Sequence, residues 1–335
     1  MGILSALLEL MAERQPAVRL APARCLRSRL NTCDCRRCLD VCAAGALSLV
    51  GRRIELDQPK CTACMACTAV CPNDALTGEP DLPPLLAVIA SRPPTAVCCS
   101  RGRLNPGAGV TVPCLGIFST EALLALGRSG SDGIRFDLSG CDNCINHHAA
   151  VRFRASLEHL RNQLTDLPTP LMIDDGCNPT TEIAAPGRRA YLSHCLAGLS
   201  QASPVGHPQR SAAERTSGGR IGDKRIPTHV RILERVIASA EEGGREQLTS
   251  LCCYRLTIDD RCTSCRRCTA ICPTGAIRLQ RSEPKGHVVF TAAHCSGCGL
   301  CISFCREKAL ALQPPRWATN KLAAPQDMAD QQCHE

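Results

Sequence analysis

Aromatic residues are nearly missing from this chain: one Trp, two Tyr and five Phe among 335 residues. Large rings normally fill much of a domain core, so something else must occupy part of this interior. No uninterrupted apolar run is long enough to span a bilayer. Met1 to Arg14, with Glu9 and Glu13, reads as a short amphipathic helix and not as a secretory leader. No glycine fingerprint of a nucleotide-binding loop occurs. The scarcity of stacking rings weighs against single-stranded nucleic acid. The length accommodates two or three compact domains.

Cysteine is what the chain has in excess, with 27 residues. That density means either a secreted disulfide scaffold or a metal protein. The count is odd, no leader is apparent, and the cysteines fall in tight runs where bridges would be strained. A reducing compartment, the cytoplasm, is the expected setting.

The clearest run is Cys262, Cys265, Cys268, Cys272 and Pro273, spaced C-x2-C-x2-C-x3-C-P. Cys295, Cys298, Cys301 and Cys305 repeat it, with Arg306 in place of the proline. Three thiolates at two-residue gaps wrap one [4Fe–4S] cube, and the fourth points to the neighbouring cube. That rule assigns Cys262, Cys265, Cys268 and Cys305 to one cluster and Cys272, Cys295, Cys298 and Cys301 to another. A structural zinc site needs paired C-x2-C knuckles, and two tandem four-cysteine runs speak against it.

Near the other end, Cys61, Cys64, Cys67, Cys71 and Pro72 form the same motif. Its partner is irregular: Cys35, Cys38 and Cys42 fit, but the first ligand should fall at Thr32. Either Cys33 or Cys25 supplies it. Cross-ligation then groups Cys35, Cys38 and Cys71 with one of Cys25 and Cys33, and Cys42 with Cys61, Cys64 and Cys67. A three-iron cluster at the irregular site is the alternative. The formal net charge of +8 counts every thiol as neutral. Four cubes would bring roughly −8 at about −2 each, which leaves the loaded chain near neutrality and removes any basic signal for nucleic acid.

These runs resemble the bacterial 2[4Fe–4S] ferredoxin family over roughly residues 30–75 and 255–312. The resemblance implies a pseudo-twofold fold with short helices and small β-hairpins. Ala43 to Val50 and Gly275 to Leu279 read as the half-turn and strand after a motif, and Ile54 to Asp57 and Val288 to Thr291 as the returning strands. Arg36-Arg37 and Arg266-Arg267 occupy matching places between ligands. A guanidinium there favours the reduced cube, or else the arginines solvate the loop or dock an acidic partner.

Between the runs, strands at 95–99, 109–114, 133–138 and 170–174 alternate with helices at 120–127 and 148–164. Ser119 or Thr120 reads as an N-cap. This pattern predicts a small parallel α/β sheet. Cys98, Cys99, Cys114, Cys141 and Cys144 lie just past strand ends, where such sheets form their ligand crevice. The segment 95–146 resembles the delta subunit of methyl-viologen-reducing hydrogenases. That resemblance implies a [2Fe–2S] cluster on these cysteines and electron delivery to a flavin-containing disulfide reductase. The adjacent pair Cys98-Cys99 departs from the family's spaced pair. Buried inert thiols are the competing reading. His147 and His148 suggest zinc or a mixed site, or simply cover the start of the helix.

The expected architecture is α+β ferredoxin modules at both ends flanking a small α/β parallel-sheet domain. Its segments are 1–80, 84–200, a linker at 201–226, a helix from Thr228 to Glu242 with the second module over 228–314, and a loose tail at 315–335. Cys252 and Cys253 read as buried thiols. Cys177, Cys195 beside His194, and Cys333 are isolated. The cofactors expected are four [4Fe–4S] clusters and the [2Fe–2S] cluster of the middle domain. The function expected is a non-catalytic subunit relaying single electrons to or from a hydrogenase, dehydrogenase or disulfide-reductase partner. The alternative is a disulfide or sulfur-compound reductase using the middle cysteines.

Overall fold

The computed structural model describes residues 17–91, 95–100, 109–164, 167–175, 224–280 and 286–318. The leading helix, residues 201–223 of the linker, Cys177, His194, Cys195 and Cys333 lie outside them.

The first region runs through β1 (Val18–Leu20), α1 (Leu26–Arg29), α2 (Arg37–Asp40), β2 (Leu47–Val50), β3 (Arg53–Leu56), α3 (Ala66–Val70) and β4 (Leu76–Gly78). β2 and β3 form an antiparallel hairpin, while β4 returns to pair with β1. Gly51 takes a φ of 60° in the hairpin turn, a conformation glycine adopts without steric cost. α4 (Leu82–Ala90) follows, with prolines in its first turn where no amide bond is lost. It buries Leu85, Leu86 and Ile89.

The middle region holds β5 (Thr95–Cys99), β6 (Gly109–Val112), α5 (Thr120–Gly127), β7 (Ile134–Asp137), α6 (His147–Gln163) and β8 (Leu171–Asp174). The four strands form one parallel sheet in the order β6-β5-β7-β8. Ser119 caps α5 by accepting from the Ala122 amide at 3.3 Å. Phe118, Phe136 and Phe153 meet edge to face at 4.8 to 6.2 Å. Three of the five phenylalanines are thus concentrated in this one domain, whose core is built from side chains.

The last region contains α7 (Thr228–Ser239), α8 (Glu242–Cys252), β9 (Arg255–Ile258), α9 (Arg267–Ile271), β10 (Ile277–Gln280), β11 (His287–Phe290), α10 (Leu300–Phe304) and β12 (Leu310–Gln313). β9 pairs with β12 and β10 with β11, the same nesting as in the first region. The single helix expected from Thr228 to Glu242 stops at Ser239 instead. Ser239 Oγ donates to the Val236 carbonyl at 2.9 Å, and Arg245 Nε donates to the Ala240 carbonyl at 2.7 Å, so side chains satisfy groups the ladder would have used. Cys252 and Cys253 are buried, as expected.

The regions share packing. Ile232, Leu233, Val236 and Ile237 of α7 join one continuous core with the parallel sheet and the first module. Asp74 Oδ2 accepts from both the amide and the hydroxyl of Thr228 at 2.9 Å, so a turn of the first module caps α7. Leu26 and Cys33 pack with Ile271 and Leu300, joining the first module to the second.

Candidate iron–sulfur centres

A cysteine loop can wrap a cube only if its backbone curls around one point. In C-x2-C-x2-C that curl is made with left-handed residues. Ala63 and Met65 have φ of 57° and 61° in one loop, Ser264 and Arg266 have 53° and 65° in the second, and Gly297 and Gly299 have 63° and 74° in the third. The three regular motifs thus share one turn. Arg36, in the corresponding place of the irregular motif, has φ −127°, so that loop is built differently.

A second repeat follows each fourth cysteine. Gly45, Asp74, Gly275 and Lys308 stand three residues after Cys42, Cys71, Cys272 and Cys305, all with φ between 48° and 73°. A buried alanine and a buried Leu or Ile come next in every case. This turn aims donors at the preceding sulfur. The Ala75 amide donates to Cys71 Sγ at 3.2 Å, and the Thr274 hydroxyl lies 3.5 Å from Cys272 Sγ. The sequence carries the signal as C-x3-A-[LI] after all four cysteines, although the strand pattern alone marks only the stretches after Cys42 and Cys272.

The thiols themselves fall into groups. Burial pushes Cys38 up to about 12, helped by its neighbours Cys71, Cys35 and Cys25. Burial raises Cys67, with further contributions from Cys64, Cys61 and Cys42. In the last region burial raises Cys268 beside Cys262 and Cys265. Burial also pushes Cys301 up to about 12, close to Cys298, Cys295 and Cys272. Cys305 packs into the same small apolar cluster as Cys268 and Cys272. Buried thiols are hard to ionise alone, and cationic iron removes that penalty. Sulfur donors in fours, with amides and a hydroxyl directed at sulfur, fit [4Fe–4S] ligation.

Cys25 and Cys33 lie near each other and both near Cys35, but in different surroundings. Cys25 follows a short 3-10 turn, and buried Asn73 donates to the Arg24 carbonyl at 2.6 Å, tying that turn to the one after Cys71. Cys33 is instead buried against Leu26, Ile271 and Leu300 at the junction of the two modules.

In the middle region Cys99, Cys114, Cys141 and Cys144 line one hollow at the carboxyl ends of the parallel strands. Burial pushes Cys114 up to about 12, beside Cys64, Cys99 and Cys141. The Asn146 amide donates to Cys144 Sγ at 3.4 Å. Cys98 points the other way, 3.7 Å from Thr111 Oγ1, because alternate residues of a strand face opposite sides. His147 begins α6, with Nδ1 3.3 Å from the Cys141 carbonyl. Asn146 Nδ2 donates to the Thr62 carbonyl at 3.1 Å, and a side chain at Gly116 would strike the Cys64 carbonyl. The middle site therefore sits directly on the Cys61–Cys67 loop.

The arginine pairs are not equivalent. Arg36 is exposed and pairs with Asp40, whereas Arg37 crosses to the second module and donates to the Gly297 carbonyl at 2.9 Å. Arg267 stays in its own module, over the Phe304 ring at 4.4 Å. Tyr254, held by Arg37, lies so close to Gly297 that any side chain there would overlap its ring.

Known iron–sulfur families match segments at both ends. Residues 261–313 match the 4Fe–4S dicluster domain family, and residues 54–77 match the 4Fe–4S binding domain family. A subunit of the ion-translocating oxidoreductase complex of Methanosarcina acetivorans is 48% identical over 42 residues, which is 12% of this chain and 16% of that protein. No solved structure matches. The chain thus carries ferredoxin-type iron–sulfur domains at both ends, with a parallel four-stranded sheet between them. No helix among the described residues is long and apolar enough to cross a membrane.

Proposed function

We propose that this chain is an electron-relay subunit with five iron–sulfur centres in a row, passing single electrons between a redox-protein partner and an acceptor. Four [4Fe–4S] clusters are assigned to Cys25/Cys35/Cys38/Cys71, Cys42/Cys61/Cys64/Cys67, Cys272/Cys295/Cys298/Cys301 and Cys262/Cys265/Cys268/Cys305. A [2Fe–2S] cluster is assigned to Cys99/Cys114/Cys141/Cys144. The observation that carries this reading is that each group has a cysteine near the next. Cys114 lies beside Cys64, Cys67 beside Cys38, and Cys35 and Cys298 pack against one apolar cluster between the modules. Cys272 and Cys268 then share the core of the second module. When bound, the clusters supply one-electron chemistry. The protein's part is to hold them at fixed separations, exclude water and set their potentials through nearby charge.

The partner is a hydrogenase, dehydrogenase or disulfide reductase, and the setting is the cytoplasm. A multisubunit oxidoreductase is the context named for the Methanosarcina relative. Iron and sulfide counts on anaerobically purified chain test the proposal, together with EPR of the reduced form. About 18 iron per chain is expected with all five centres, against about 16 with cubes alone. Spin-coupled broadening between neighbouring reduced centres is also expected. Fewer than about 12 iron, or sharp isolated signals, overturns it.

A further inference from the structure

Arg37 and Arg267 hold the same place in their motifs, directly before Cys38 and Cys268, yet their side chains go different ways. Arg267 stays in its own module. Its Nε donates to the Phe304 carbonyl at 3.3 Å, and its guanidinium lies over the Phe304 ring. The first module has Val70 where Phe304 stands, so no ring face is offered to Arg37. The preceding backbone differs too, with φ −127° at Arg36 and 65° at Arg266. Arg37 leaves its own loop and reaches the second module. Its Nη2 donates to the Gly297 carbonyl at 2.9 Å, between Cys295 and Cys298, and it also bonds the Tyr254 hydroxyl. These two partners fix the guanidinium in one position.

Lys224 reaches the same place from another direction. It lies just ahead of α7, and its Nζ donates to the Thr269, Ala270 and Cys272 carbonyls at 2.7 to 2.8 Å. It thereby closes the carboxyl end of α9 and brings its charge to Cys272. Cys272, Cys295 and Cys298 are ligands of one proposed cube, and neither cation belongs to the two motifs that ligate it. The cube to which Arg37 belongs by sequence has Arg27 instead, whose Nη1 donates to the Cys35 carbonyl at 3.0 Å.

We infer that Arg37 and Lys224 together set the potential of the Cys272/Cys295/Cys298/Cys301 centre, Arg37 acting across the junction from the other module. The inference rests on the relay reading and names the residues that draw electrons into the second module. One electron leaves a neighbouring centre and enters this one, which gains one negative charge. A fixed cation nearby favours that reduced state.

Potentiometric titration of the anaerobic, iron-loaded full chain, followed by EPR, reads the midpoint of each centre. Arg37→Gln and Lys224→Gln are each expected to make electron entry into one centre about tenfold less favourable, a negative shift of about 59 mV for a one-electron couple. The double variant should move that same midpoint further and leave the others in place. Arg37→Lys keeps the charge and should keep the midpoint within about threefold of the parent's equilibrium. The Arg37→Gln shift should persist in a Cys25→Ser background, which lacks the first module's own cube. A shift that disappears there assigns Arg37 to its own module and overturns the inference. So do unmoved midpoints at full iron content, shifts of two different centres by the two variants, or an Arg37→Lys shift as large as that of Arg37→Gln. Each of these leaves the relay standing, whereas fewer than about 12 iron in the parent chain overturns the relay and this inference with it.

Discussion

At the scale of single residues, the decisive pair is Cys25 and Cys33. Cys33 is the nearer in sequence to its motif, but its thiol is buried in an apolar junction with Leu26, Ile271 and Leu300. Cys25 lies ten residues before Cys35 yet meets Cys35 and Cys71 in space. Cys25→Ser is therefore expected to lose one centre, about four iron per chain. Cys33→Ala is expected to keep all the iron and to cost about 1 kcal/mol through lost packing. Iron analysis and thermal unfolding of the two variants check this, and the opposite pattern of iron loss reverses the assignment. Spacing alone leaves this choice open, because the loop from Cys25 returns through Asn73 and Cys71, some 46 residues further along the chain. Short-range motif arithmetic is blind to that closure. It also cannot separate Cys98 from Cys99, whose difference is the side of a strand each one faces.

At the scale of elements, the chain reuses one device four times: a left-handed residue three positions after the last cysteine of each motif, then a buried Ala and a buried Leu or Ile. Asp74 holds that position with a φ of 49° while its carboxylate caps α7 of the other half. The two demands conflict. Glycine would relax the turn but cannot cap. Asp74→Gly is expected to lower stability by about 1 kcal/mol despite the eased backbone, because the cap outweighs the relief. Asp74→Asn tolerates the left-handed region and retains an acceptor, so it should fall between the two. Thermal unfolding midpoints rank the three proteins, and a glycine variant more stable than the parent would show the cap to be inert. The strands and helices of the middle sheet are legible from apolar runs and the Ser119 cap, to within two residues at their ends. The break at Ser239 is not, since it depends on side-chain bonds to local carbonyls and not on periodicity.

At the scale of the whole molecule, the scarcity of rings and the abundance of cysteine are one fact. The second module has a central core of six buried residues, of which Cys268, Cys272 and Cys301 are half. Such a core buries too little apolar surface to hold a fold against chain entropy. The middle sheet differs, with three interlocked phenylalanines and fully buried Leu123, Leu124, Leu157 and Leu160. Stability should therefore divide by region when iron is removed. A chelator under reducing conditions is expected to abolish amide-exchange protection in β9 to β12, since cluster binding and folding are coupled there. β5, β7 and α6 should stay protected, because their packing rests on buried apolar side chains and only the Cys99 end of β5 reaches a proposed centre. α7 is the informative boundary: it packs on the middle sheet but is capped by Asp74, beside Cys71. It should keep protection along Ile232 to Ile237 and fray at Thr228. Uniform loss across all regions would mean that the clusters stabilise the sheet as well. Full protection in the second module would mean that its fold stands without iron, against the reading of the clusters as its core.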